Sequence, residues 1–422
     1  MKAYLSRILI TALLLTVFAS SADALRVGAA LRVLTPEKLM PLSGGVGEPD
    51  PAIGKRGDLF VRAMVFEDGD TRIALVGVDY LGFPGVLGDQ IRAKVKGIPG
   101  TNILIGATHT HSAPDMYAFP DGKGGHSGDL DYIAWVIDQA AEAINEAVSK
   151  LEPAVLKINV GDAKGKIAFN YYAPQLYDPR CGVIQALTPD SKKVIATLVN
   201  YASHPEVMGT DRGMLSPDFC GPLYDRIEEK TGGMALFMNG AQGGMVTADN
   251  RDVPDTTEAM WKECIRIGNL LADEALRIVA DAPVQSDAKV FCASERLTFP
   301  ITSPLIKQLF GYSGLDYSSV SEGENISTQM NLLNIGTAQL VNIPGEALPN
   351  IGYYLKRNMP TEHPFLLGLT NDAFGYILSR VDFSSFKRYD YVTETSLGEG
   401  TGPILIEAIL GMVEKYPKPA QP

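Results

Sequence analysis

Two of the five histidines in the chain, His109 and His111, stand one residue apart. They close the stretch Ile103-Leu104-Ile105-Gly106-Ala107-Thr108-His109-Thr110-His111-Ser112-Ala113-Pro114, which begins as an apolar run of strand character and stops at proline. In extended backbone, residues i and i+2 point to the same side. Both imidazoles are therefore expected to project from the end of a buried strand toward one spot. Imidazole is the commonest metal ligand and the commonest general acid or base near neutral pH. Loops at strand ends are also where sites are usually built. The plainer alternative is a pair of polar residues that merely closes the strand.

The same placement recurs along the chain. Asp79 follows the apolar run Thr71–Val78, His204 follows Val194–Tyr201, Glu346 follows Ala338–Ile343, and Tyr376 lies beyond Phe365–Gly368. Catalytic zinc takes nitrogen and oxygen ligands and keeps a position for water. Two histidines, a glutamate and a tyrosine would suit it, although ligands so far apart have no diagnostic spacing. Asp79 reads either as a partner orienting a metal-bound histidine or as a strand cap. His126 sits in a glycine loop and reads as solvated, His363 as a turn residue, and Asp115 as a loop cap. Tyr389 and Tyr391 read as packing residues first and as lining of a substrate entrance second.

Stepping outward, the chain must supply elements that hold these residues. Leu25–Leu34, Leu59–Phe66, Thr71–Val78, Ala154–Val160, Gly182–Leu187, Val194–Tyr201, Met234–Met238, Val290–Phe299, Asn331–Ile335, Ala338–Ile343 and Phe365–Gly368 read as strands. The Asp68-Gly69-Asp70 turn marks a hairpin. Helical periods run over Val86–Lys96, Leu130–Lys150, Phe219–Lys230, Thr257–Ala280, from Glu346 to Lys356, and Glu399–Val413. Residues 311–325 read as a polar loop, and Asn239–Gly244 as a tight glycine turn. The pattern is α/β, with mixed β-sheets, flanking helices and a single large catalytic domain. No repeat of fixed period is visible.

Composition bounds the function. The 422 residues are 45% hydrophobic and 20% charged, enough for a sizeable core. A formal charge of −12 argues against nucleic acid as a partner. Lys2 and Arg7, the apolar run Ile8–Ala19 and Ala22-Asp23-Ala24 read as a signal peptide over residues 1–24, which predicts an exported (periplasmic or secreted) protein. Cys181, Cys220, Cys264 and Cys292 are spaced too irregularly for a zinc cluster and read either as disulfides or as buried thiols.

Five blocks together resemble the neutral/alkaline ceramidase family: Gly106–Pro114, Asn200–Pro205 (Asn-Tyr-Ala-Ser-His-Pro), Phe237–Gly243 (Phe-Met-Asn-Gly-Ala-Gln-Gly), Ile343–Glu346 (Ile-Pro-Gly-Glu) and Asn371–Tyr376 (Asn-Asp-Ala-Phe-Gly-Tyr). The likeness spans the mature chain, residues 25–422. It implies a zinc-dependent amidohydrolase that cleaves ceramide-like N-acyl lipids, with His109, His204, Glu346 and Tyr376 as zinc ligands. It also implies His111 as the histidine that polarises the carbonyl or moves a proton, and Thr247 at the position of a Ser or Thr after the glycine turn. A lipid amide substrate allows peripheral contact with a membrane. The sequence departs from the family at Gly243-Gly244-Met245-Val246-Thr247-Ala248, where relatives carry Asp and Pro, and at Asn170-Tyr171, where relatives carry Asn-Arg. The family's C-terminal β-sandwich is not expected here. These departures leave open the same machinery acting on another amide or ester, and a catalytically silent metal- or lipid-binding relative.

Overall fold

The computed structural model describes residues 24–421. The expected leader lies, but for Ala24, outside them. Among the described residues, one arrangement occurs three times. Three strands run antiparallel in sequence order, a helix follows the third, and a fourth strand returns parallel beside the third. A longer helix then covers the sheet.

In the first unit the antiparallel strands are Arg26–Val33, Phe60–Asp68 and Thr71–Val78, with Ile103–Ala107 returning parallel after helix Gly85–Lys94. In the second they are Val155–Asp162, Arg180–Leu187 and Val194–Tyr201, with Met234–Asn239 returning after helix Cys220–Thr231. In the third they are Val290–Pro300, Asn325–Ile335 and Ala338–Asn342, with His363–Leu367 returning after helix Pro349–Asn358. The covering helices are Leu130–Ser149, Thr257–Ala280 and Thr401–Lys415. The repeat is one of topology: the loops between equivalent strands differ in length and composition, so no sequence period betrays it.

Side-chain alternation builds two kinds of core. On Phe60–Asp68, Val61, Ala63 and Val65 face the covering helix, and Met64 and Phe66 face inward. The inward faces of all three sheets meet in one apolar centre that joins Met64, Phe66 and Leu75 to Ile184, Leu198 and Leu236 and to Leu340, Phe365 and Leu367. Each sheet is thus apolar on both faces, and its strands read as continuous hydrophobic runs. The covering helices start on side-chain caps where the sequence offers them. Asp129 accepts from the Tyr132 N–H and Thr256 from the Ala259 N–H.

This is the expected mixed α/β architecture, with three local differences. Glu346 does not open a helix: it forms the two-residue strand Glu346–Ala347, and the helix begins at Pro349, whose fixed φ suits a first helical position. The strand placed at Asn331–Ile335 begins at Asn325, because Ile326, Thr328 and Met330 alternate inward behind a polar-looking exterior. A helix over Pro304–Tyr312, capped by Ser303, has no counterpart among the expected elements. Among the described residues no helix is long and apolar enough to cross a membrane. All four cysteines are free thiols, Cys181, Cys220 and Cys264 buried and Cys292 partly exposed.

Candidate metal centre

Each unit sends the chain beyond its parallel pair of strands toward the same place. Past Ala107 the backbone turns through His109, whose φ of +75° lies in the left-handed region. That conformation is costly for a residue with a Cβ and recurs at functional sites. The extended geometry expected for the His-x-His pair is therefore absent. The turn nevertheless brings the two rings together, with centroids 4.8 Å apart at 89°. His111 N–H donates to the Pro205 carbonyl at 3.1 Å, tying this loop to the one that carries His204.

His204 is fully buried, and its ring centroid lies 4.6 Å from that of His109. Its backbone N–H and its Nδ1 both meet the Val246 carbonyl, at 2.9 and 2.7 Å. His109 Nδ1 likewise meets the Leu81 carbonyl. A ring nitrogen facing a carbonyl must carry the proton, so in both rings Nδ1–H donates and Nε2 is the atom left to meet Glu346. Both Nε2 atoms are aimed at Glu346: His204 Nε2 lies 3.1 Å and His109 Nε2 3.5 Å from Glu346 Oε2. Glu346 is held by the glycine turn. The Gly243 N–H donates to the Ala347 carbonyl at 2.9 Å, and a Cβ on Gly243 would stand 2.1 Å from the Glu346 carbonyl oxygen. Only glycine permits that approach.

Tyr376 is the register partner of Glu346 in a short parallel ladder and lines the same cavity, its hydroxyl 3.5 Å from Met245 Sδ. Thr247 bridges to the backbone of His204 and pairs with Phe169, but it is not among the residues lining the cavity. Asp79 accepts from the Phe60 N–H and the Tyr224 hydroxyl and does not orient His109, so it is a strand cap. Asp115 accepts from the Tyr117 and Phe119 N–H groups, as a loop cap should.

The charges are arranged around one deficit. Burial opposes a charge on His204, yet the Glu346 carboxylate lifts its pKa to about 9. Burial pushes His109 down to about 3 against the pull of Glu346, and burial together with the His204 charge holds His111 near 3. Burial works against Glu346 ionising, but the neighbouring rings keep its carboxyl below the ordinary range. His111 Nε2 is buried without a hydrogen-bond partner, and His204 Nε2 and Glu346 Oε2 face only each other. Orphaned buried polar atoms are rare because each carries a desolvation cost. A carboxylate with imidazole nitrogens gathered around it fits a divalent cation, which would take the place of the proton on His204. The ring nitrogens of His109, His111 and His204 lie within 4.8 Å of one another, a group that can hold a metal ion.

Two residues that sequence reasoning passed over complete the site. Glu206 places Oε2 3.5 Å from His111 Nδ1. It stands two residues after His204, the same spacing that drew attention to His109 and His111. Asn239, fully buried, donates to the carbonyls of Thr108 at 3.0 Å and Ser203 at 2.9 Å, the residues just before His109 and His204. Tyr391 forms part of the cavity wall, so the entrance reading applies to it, whereas Tyr389 is buried. The cavity, about 630 Å³ with its open mouth, is walled by apolar side chains, among them Leu81, Tyr117, Phe119, Ile306, Phe310 and Phe374. Neither lysine nor arginine lines it.

This fold has been seen before. A crystal structure of neutral ceramidase from Pseudomonas aeruginosa superposes with a TM-score of 0.76 at 15% sequence identity, covering 95% of this chain and 76% of that one. The fold is that of neutral ceramidase. A ceramidase complexed with C2 matches similarly, with a TM-score of 0.75 at 16% identity over 95% of this chain and 77% of the other. No protein-family model and no curated relative matches the sequence. The likeness read from five sequence blocks is thus borne out in the ceramidase fold, at an identity that shows fold alone.

Proposed function

We propose that the protein is a zinc-dependent amidohydrolase that cleaves ceramide-like N-acyl lipids into an amine and a fatty acid, and that it acts after export. The observation that carries this reading is the pair of imidazoles whose Nδ1 atoms are tied to backbone carbonyls. Both Nε2 atoms converge on the Glu346 carboxylate beside an apolar cavity. His109, His204 and Glu346 would hold the ion, with the Tyr376 hydroxyl as a fourth donor. Bound there, zinc would supply Lewis acidity toward the acyl carbonyl and a hydroxide equivalent at neutral pH.

The chain's own residues do the rest. The apolar walls take the acyl chain and exclude water from the reacting bond. His111, its Nε2 unpartnered, is placed to stabilise the oxyanion or to pass a proton to the leaving amine. Glu206 Oε2 faces Nδ1 of His111 at 3.5 Å. The absence of cations from the cavity lining suits an uncharged acyl half.

A second reading rests on the mutual approach of the three ring nitrogens. In it, His111 joins His109 and His204 as a third nitrogen ligand, and Glu346 is left as a base. The test of the function itself is metal analysis with chelation and zinc rescue, scored on N-acyl sphingosine and a panel of other N-acyl amides and esters. Zinc-dependent release of fatty acid from the sphingoid amide supports the proposal. Turnover of another amide alone moves the substrate assignment, and a bound metal with no hydrolysis of any of them overturns it.

A further inference from the structure

Beyond the Tyr376–Ile377 strand the chain makes an exposed excursion over Ser379–Asp390 before the short helix Asp390–Glu394. Val381 is 80% exposed, Phe386 62% and the neighbouring Tyr171 67%. Single exposed apolar residues are ordinary, but a connected row is not. Here the rings are connected. Tyr171 stacks edge-on to Tyr172 at 5.8 Å, Tyr172 lies 5.5 Å from Tyr389, and Tyr389 lies 5.6 Å from Phe386. Tyr389 packs in one cluster with Tyr376, and Tyr391, on the cavity wall, is 5.9 Å from the Tyr376 ring. The exposed rings of Tyr171 and Phe386 are therefore linked, through the half-buried Tyr172 and the buried Tyr389, to the cavity mouth.

Its charge runs against that of the chain. Arg380, Lys387 and Arg388 are all exposed on this excursion, against an exposed Asp390 and an Asp382 engaged by Asn350 and Ser379; Arg388 also donates to the Tyr172 carbonyl. The protein as a whole carries −12. Aromatic rings with interspersed arginine and lysine are the composition that settles at a lipid–water interface, the rings at headgroup depth and the cations on anionic phosphates.

We propose that Tyr171, Val381 and Phe386, with Arg380, Lys387 and Arg388, form a docking surface for an anionic lipid bilayer. A lipid amide then passes from the bilayer into the cavity beside Tyr391. This rests on the hydrolase reading for its purpose, though not for its geometry.

The experiment uses cosedimentation of the full protein with vesicles of phosphatidylcholine, with and without phosphatidylglycerol. Val381→Ser/Phe386→Ser is expected to weaken binding to both vesicles by roughly tenfold or more. Arg380→Glu/Lys387→Glu is expected to weaken binding to the phosphatidylglycerol vesicles alone, and less so at high salt. Both variants should hydrolyse a soluble short-chain N-acyl amide as the parent does. Sedimentation of both variants like the parent overturns the docking surface, as does failure of the parent itself to bind vesicles while hydrolysing the soluble amide. A parent that binds vesicles through these residues but hydrolyses no amide upholds the surface and removes the hydrolase reading.

Discussion

Glu346 and Tyr376 stand opposite each other in a parallel ladder only two residues long. Partners in such a register lie on neighbouring strands about 4.8 Å apart with side chains on one face. A carboxylate and a phenol separated by thirty positions of chain are thereby held side by side, the carboxylate against the His109 and His204 rings. The ladder is short because Pro349 starts a helix on one side and the exposed excursion starts on the other. Its position is fixed by Glu346 N–H donating to the Gly375 carbonyl at 2.8 Å and by Leu348 N–H donating to the Ile377 carbonyl at 3.1 Å.

From this follows the expected behaviour of the ligands. Glu346→Gln keeps the shape and removes the charge on which both imidazoles converge. Zinc affinity should fall by more than the roughly 10–100-fold typical for loss of a ligand's supporting partner, with amide hydrolysis falling alongside. His204→Ala should do the same. Zinc content after dialysis against a graded chelator, with circular dichroism to confirm folding, makes the check. Full zinc retention in either variant would remove that residue from the metal site.

His111 separates the two readings of the centre. If it moves a proton, His111→Ala retains one zinc per chain and loses on the order of 10²–10⁴-fold in kcat. If it is the third nitrogen ligand, the same variant loses the metal. Metal stoichiometry and single-turnover rate on one preparation decide between them. Glu206→Gln should lower kcat with little change in KM under the first reading, since it removes the carboxylate facing His111 and leaves the cavity unchanged.

What could be read from the sequence, and what could not, has a physical pattern. Strands such as Thr71–Val78 and Val194–Tyr201 were legible because both faces are buried, so hydrophobicity alone marks them. The polar residues that follow them were legible as candidates because a strand that stops at a histidine or glutamate exposes chemistry at a sheet end. Their convergence was not legible from spacing, since it depends on three sheets meeting at one centre, and only the family resemblance implied it. The left-handed turn at His109 was hidden as well, because Thr-His-Thr-His has no glycine to announce it. Asn239 looked like turn chemistry, and only the fold shows that its amide spans two loops. Strand Asn325–Ile335 was shortened because Ser327 and Gln329 face outward and mask the buried alternation.

Asn239 is expected to act at a distance from the reacting atoms. Its side-chain NH₂ holds the Thr108 and Ser203 carbonyls, and its Oδ1 accepts from the Ser203 and Gly240 N–H groups at 3.2 and 2.9 Å. Asn239→Asp keeps the acceptor and replaces the donor with a carboxylate facing two carbonyl oxygens. Leaving buried groups unsatisfied costs about 1–3 kcal/mol each. The variant should melt lower and bind zinc more weakly, because the His109 and His204 loops lose their common anchor. Asn239→Ser, which can satisfy one carbonyl, should recover part of both. A drop in melting temperature with unaltered zinc affinity would confine Asn239 to stability.

Asp372 gives the structure a pH dependence of predictable sign. Its carboxyl is buried, and burial raises its pKa to about 7, even though the Gly85 and Ala373 N–H groups donate to it. Unfolded, it would titrate near 3.9. Between those values the folded protein holds a proton that the unfolded chain has released, so stability falls as pH rises. The contribution is complete below about pH 4, declines through pH 7 and is level above it. Its full extent is on the order of 4 kcal/mol. Asp372→Asn cannot ionise and still offers an oxygen to both N–H groups. Relative to the parent, the variant should gain stability steadily from pH 4.5 to pH 7.5 and no further above that. Denaturant unfolding of both proteins across this range tests it, because contributions common to the two cancel in the difference. A difference that stays flat with pH would mean that Asp372 is ionised in the folded protein, and that the two backbone N–H groups outweigh its burial.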